Sequence, residues 1–171
     1  MSVELIIGGA RSGKSSLAER RAGDAGLEVT YIATATAGDA EMLERIAHHR
    51  RRRPPYWLTI EEPLRLAATL RAETATNRCV LVDCLTLWLT NLLLGPGVEP
   101  ERTMFLDALP ALPGRVILVS NEVGWGIVPS NELGRRFADE QGRLNQAIAA
   151  ASDRVTLVAA GLPIELKSRG V

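Results

Sequence analysis

The chain has 171 residues, 20 basic and 20 acidic, for a formal net charge of zero. That length suits one domain with a sizeable core, and the neutral balance excludes a protein whose whole surface is built to hold nucleic acid, so any affinity for anions must be local. No apolar run reaches the roughly 20 residues of a membrane span. The start, "MSVELIIGGA", has no basic stretch before its short apolar one, unlike a secretory signal, so the expected location is the cytoplasm.

Apolar, β-branched runs alternate with helical patterns along the chain. "VELII" (3–7) reads as a buried strand, followed by a glycine turn and a helix to about residue 25. "VTYIAT" (29–34) is the second strand. Asp39 fits the N-cap of a helix that runs to the prolines at 54 and 55. "WLTI" (57–60) is a short strand, and Pro63 fits the start of the helix "PLRLAATLRAE". "CVLVD" (79–83) is a continuous apolar strand ending in a carboxylate, and "LTLWLTNLLL" (85–94) is a mostly buried helix. After the loop "GPGVEPE", residues 100–109 form a short helix and "RVILVSN" (115–121) another buried strand. "EVGWGIVP" (122–129) is a glycine-bearing loop. Residues 130–152 form a long helix with Leu133, Phe137, Leu144 and Ile148 toward the core. "RVTLVAA" (154–160) is the last clear strand, with "IELK" (164–167) pairing at an edge. Continuous apolar strands separated by helices imply a mainly parallel sheet covered on both faces. The expectation is one α/β domain over 1–171. Cys79 and Cys84 are too few for a disulfide framework and read as reduced thiols near that core.

"GGARSGKS" comprises Gly8, Gly9, Ala10, Arg11, Ser12, Gly13, Lys14 and Ser15. It fits G-x-x-x-x-G-K-[ST] without a mismatch, and it follows a strand and opens a helix, as a P-loop must. The glycines let the backbone turn its N–H groups toward phosphate oxygens, and the helix N-terminus adds positive potential. Lys14 reaches the β- and γ-phosphates, and the Ser15 hydroxyl can bind Mg²⁺. Of the 20 basic residues only Lys14 and Lys167 are lysines, so the lysine kept at position 14 marks a site that requires an ammonium. Asp83, at the end of its strand, is the candidate for the second carboxylate near metal or nucleotide. It also fits the N-cap of the helix from Leu85. Cys84 reads as a small core residue rather than a nucleophile.

His48 and His49, the only two histidines, stand before the run Arg50 to Arg53. Such a run usually makes a solvated helix face and suits the negative end of a helix. On a helical wheel at about 100° per residue, Met42, Leu43 and Ile46 define the apolar face. His49 lies close to Met42, with Arg50 and Arg53 flanking it, whereas His48 falls beside Glu41 and Glu44. If Met42 and Ile46 face the protein body, His49 faces it as well and His48 faces solvent. Two roles stay open for His49 from the wheel alone: packing, or attack on a nucleotide phosphorus.

Four stretches in order, "GGARSGKS", "RIAHHRRRRPPYWLTIEEP", "LVDCLTLWLTNLL" and "LVSNEVGWGIVP", resemble the bifunctional adenosylcobinamide kinase/adenosylcobinamide-phosphate guanylyltransferase family of cobalamin assembly. The resemblance runs from Ile6 to about Lys167. It implies a RecA-like P-loop NTPase domain and two reactions. A nucleoside triphosphate, ATP or GTP, with Mg²⁺, phosphorylates the aminopropanol hydroxyl of adenosylcobinamide. GTP then gives GMP to an enzyme histidine, and the GMP passes on to form adenosylcobinamide-GDP. Carried over, the GMP-bearing histidine is His49. Arg50, Arg51, Arg52 and Arg53 match the stretch that contacts the guanine nucleotide, Glu61 and Asp83 match acidic nucleotide-binding positions, and Ala33, Thr34 and Ala35 match another contact segment. A homotrimer is implied as well. The sequence departs from the family pattern in a shorter segment between Leu94 and Arg115, and in Asp83, where the family often has glutamate. Two rivals remain: a P-loop kinase of another small alcohol with a structural His49, and an ATP-driven nucleic-acid-binding subunit using the arginine run. The neutral charge weighs against the second.

Overall fold

The computed structural model describes residues 2–36, 44, 47, 50, 51 and 53–168. Seven strands form one sheet in the order β3-β2-β4-β5-β1-β6-β7. They are β1 (Ser2–Gly8), β2 (Glu28–Ala33), β3 (Leu58–Glu61), β4 (Arg78–Asp83), β5 (Arg115–Asn121), β6 (Arg154–Ala159) and β7 (Leu162–Ser168). Every pairing from β3 to β6 is parallel, and β7 runs antiparallel to β6 at the edge.

Alternate residues of the apolar strands feed two cores. Leu5, Val80, Val82, Val116 and Leu118 pack on one face against α2 (Leu66–Glu73), α3 (Leu85–Leu94), α4 (Glu101–Ala108) and α5 (Glu132–Ala151). Ile6, Cys79, Leu81, Ile117 and Val119 pack on the other against Leu17, Ala18 and Ala22 of α1 (Lys14–Gly23). Burial on both faces is what makes these strands continuous apolar runs instead of alternating ones. Trp88 and Phe105 anchor the larger core with ring centroids 5.0 Å apart. No helix among the described residues is long and apolar enough to cross a membrane.

The structure corrects three sequence expectations. The helix expected from Pro63 begins at Leu66, because Glu62 accepts hydrogen bonds from the N–H groups of Leu64 and Arg65 and holds a separate turn there. Leu133 is 51% exposed, because the buried residues of α5 are Gln141, Leu144, Asn145 and Ile148, all from its middle onward. Asp83 is not the cap of α3. Cys84 holds the N-cap position without a side-chain bond, and the Asp83 carboxylate is engaged elsewhere. The helix expected from Asp39 to the prolines lies mostly outside the described residues, of which Glu44, Ala47, Arg50 and Arg51 are helical.

Candidate active site

The carboxyl ends of the six parallel strands open on one side of the sheet, where α/β folds place their ligands. The turn after β1 sits at the centre. A Cβ on Gly8 would lie 2.5 Å from the Val158 carbonyl and 2.6 Å from Ser12 Oγ, so the chain can pass only as glycine. Gly13 has φ +97° and caps α1 without a side chain. The turn is braced from β6–β7, where the Gly161 N–H donates to the Ser12 carbonyl at 2.9 Å. Lys14 is 9% exposed, and its Nζ donates to the Gly9 carbonyl across the turn at 3.2 Å. An ammonium folded over a helix N-terminus is a site for phosphate.

Asp83 closes β4 and accepts a hydrogen bond from the Tyr31 hydroxyl at 3.0 Å. Tyr31 is 1% exposed. Its burial first, and the Asp83 charge second, hold the phenol well above its usual range, so it remains a donor. The guanidinium carbon of Arg53 lies 3.4 Å from the centroid of the same ring, a cation–π contact. One tyrosine therefore supports a carboxylate through its hydroxyl and an arginine through its face. Arg50 pairs with Glu61 at the rim. Both side chains are more than half exposed, so the pair contributes little stability.

A cleft of about 280 Å³ gathers these groups, lined by Ala10, Arg11, Lys14, Ser15, Tyr31, Ala33, Ala35, Arg50, Arg53, Glu61, Asp83, Cys84, Thr86, Leu87 and Asn121. Of the residues expected from sequence, Gly8, Gly9, Ser12 and Gly13 form the turn beneath it, and Arg51 is exposed and does not line it. His49 and Arg52, with Met42, Leu43 and Ile46 of the wheel argument, lie outside the described residues.

Thr34 behaves differently from its neighbours Ala33 and Ala35. It is fully buried. Its hydroxyl donates to the Cys84 carbonyl at 2.7 Å and accepts from the Cys84 N–H at 2.9 Å. It pins the end of β2 to the start of α3 and so places the alanines at the cleft wall. Thr34→Val keeps the shape but leaves the Cys84 N–H unpaired and the Cys84 carbonyl with only the Trp88 N–H at 3.2 Å, which is expected to cost about 1–2 kcal/mol. Urea unfolding checks this, and an unchanged midpoint would contradict it.

Sequence reading missed Tyr31, Thr86, Leu87 and Asn121. Asn121 had a signal, its place at the end of a strand. Its N–H donates to Thr86 Oγ1 at 2.8 Å, and its carbonyl accepts from Asn145 Nδ2 at 3.0 Å. Tyr31 carried no signal, being one more large residue in a buried strand. Burial first, and Asp83 second, push the Cys84 thiol up to about 11. It is thus uncharged at neutral pH and unsuited to attack.

The sheet order and the glycine turn with Lys14 together give the fold of a RecA-like P-loop domain. Solved structures agree on the fold. The flagellar accessory protein FlaH of Methanocaldococcus jannaschii is similar with a TM-score of 0.58 at 15% identity, over 98% of this chain and 79% of that one. The RadB recombinase is similar with a TM-score of 0.54 at 17% identity, over 91% of this chain and 73% of that one. Sequence relatives narrow the class. The family model for cobinamide kinase / cobinamide phosphate guanyltransferase matches residues 4–166, and this chain belongs to that family. It is 62% identical to the bifunctional adenosylcobalamin biosynthesis protein CobP of Pseudomonas aeruginosa, over 96% of both chains. It is 41% identical to the bifunctional adenosylcobalamin biosynthesis protein CobU of Salmonella typhimurium, over 95% of this chain and 98% of that one.

Proposed function

We propose that this chain phosphorylates adenosylcobinamide with a nucleoside triphosphate and then transfers GMP from GTP to the product, with His49 as carrier. The observation that supports a shared machinery is the one cleft that holds Lys14, Ser15 and Asp83 together with Arg50, Arg53 and Glu61. In the first reaction the aminopropanol oxygen attacks the γ-phosphorus. The bond to the β-phosphate oxygen breaks, the nucleoside diphosphate leaves, and the hydroxyl proton departs. Lys14 offsets charge on the β- and γ-phosphates. In the second reaction an imidazole nitrogen of His49 attacks the α-phosphorus of GTP and pyrophosphate leaves. A phosphate oxygen of adenosylcobinamide phosphate then attacks the same phosphorus, the P–N bond breaks, and His49 is restored. Arg50 and Arg53, which line the cleft, are the proposed cations that offset charge on the leaving pyrophosphate.

Ser15 and Asp83 are hard oxygen donors in one cleft, which suits Mg²⁺ held by one or two protein ligands plus phosphate oxygens. These are the residues that would hold it, and it would withdraw charge from those oxygens. The working assembly we propose is a cytoplasmic homotrimer, on the family resemblance.

The covalent step has a distinct label pattern. Enzyme incubated with GTP labelled at the α-phosphate is expected to retain label, and enzyme given γ-labelled GTP is not. The label should map to the peptide carrying His49, be lost in mild acid and persist in alkali, as a phosphoramidate does. Acid-stable label, or label on another peptide, would exclude His49 as the nucleophile.

A further inference from the structure

The loop that follows β5 exposes apolar side chains although its backbone is tied at both ends. Trp125 is 77%, Ile127 98% and Val128 74% exposed. At its start the Glu122 N–H donates to the Gly8 carbonyl at 3.1 Å, and the Glu122 carboxylate accepts from the Gly124 N–H at 2.7 Å. At its end Arg135 donates to the Pro129 and Ser130 carbonyls at 3.1 and 2.8 Å, and Asn131 caps α5. Among the described residues of the single chain, nothing covers these side chains on their tethered backbone. Their exposure costs free energy in water unless a ligand covers them.

Position identifies the ligand. The loop leaves the cleft at Asn121, which is the register partner of Gly8 at the phosphate-binding turn. An acceptor hydroxyl must meet the terminal phosphate at this end. A cleft of about 280 Å³ lies at the low end of the volumes that hold a drug-sized ligand, which suits a nucleotide and little beside it. A corrin macrocycle cannot enter beside it, so only the acceptor arm reaches in and the macrocycle must rest on the bordering surface. A corrin ring bears methyl-covered apolar faces and peripheral amides. The exposed Trp125, Ile127 and Val128 suit those apolar faces.

We propose that Glu122–Pro129 is the landing surface for the body of the corrinoid substrate, with Trp125 and Ile127 as its main contacts. This rests on the function proposed above. The test is the double variant Trp125→Ser/Ile127→Ser in the full chain, with folding checked by its melting curve. Equilibrium dialysis of adenosylcobinamide is expected to show affinity weakened by about tenfold or more, since two large apolar contacts are lost. The KM for adenosylcobinamide should rise in step while that for the nucleoside triphosphate holds, and the sedimentation coefficient should match the unaltered protein. Unchanged corrinoid affinity would overturn the proposal. So would a fall in sedimentation coefficient, which would assign the loop to a second copy of the chain. If the unaltered enzyme itself fails to phosphorylate adenosylcobinamide, the proposed function fails, and the landing surface with it.

Discussion

Lys14→Ala is expected to lower phosphorylation of adenosylcobinamide by on the order of 10²–10³-fold, the scale of removing one preorganised charge from a transition state. Lys14 is one of only two lysines in an arginine-rich chain and lies 9% exposed inside the glycine turn. The turn leaves no slack, since Gly8 already meets Val158 and Ser12 at less than contact distance for a Cβ. A planar guanidinium is wider than an ammonium and directs its donors in a fixed fork. Lys14→Arg is therefore expected to restore little, even though charge is conserved. Steady-state kinetics with saturating nucleotide read both variants. Near-normal phosphorylation by Lys14→Ala would remove the P-loop assignment.

His49→Ala is expected to stop guanylylation altogether while leaving phosphorylation of adenosylcobinamide measurable. The two steps separate because Lys14 and Ser15 hold the triphosphate for the first, whereas only the second needs a nucleophile on the protein. Losing a covalent nucleophile costs several orders of magnitude in rate. His48→Ala, on the opposite side of the wheel beside Glu41 and Glu44, is expected to retain both activities within about tenfold, the scale of one hydrogen bond. Product analysis for adenosylcobinamide phosphate and adenosylcobinamide-GDP distinguishes the pair. A dead His48→Ala with an active His49→Ala would place the register one residue off.

The sheet was legible because its strands are buried on both faces and so read as unbroken apolar runs. "RVILVSN" is β5 from end to end, and "LTLWLTNLLL" is α3. The glycine turn was legible because its residue types are dictated by backbone geometry. Boundaries set by side-chain bonds across the chain were not. Glu62 delays α2, and Lys167 donates to the Ala149 and Ala150 carbonyls at the end of α5, joining a strand to a helix far from it in sequence. Leu133 fits the apolar period of α5, but the period does not say how far the core extends along the helix. The Ser120–Gln141–Asn145 hydrogen-bond cluster was hidden for the same reason. Polar residues on a helix read as surface until a strand supplies partners. Tyr31 was invisible as a site residue because its two roles depend on Asp83 and Arg53, neither near it in sequence.

The central claim is that one histidine of this chain carries GMP between GTP and the corrinoid. The intact mass of the protein after incubation with GTP and Mg²⁺, without any corrinoid, tests it most directly. The account predicts a gain of one GMP per chain, absent in His49→Ala and discharged when adenosylcobinamide phosphate is added. An unchanged mass in an enzyme that still phosphorylates adenosylcobinamide would contradict it and leave a kinase alone.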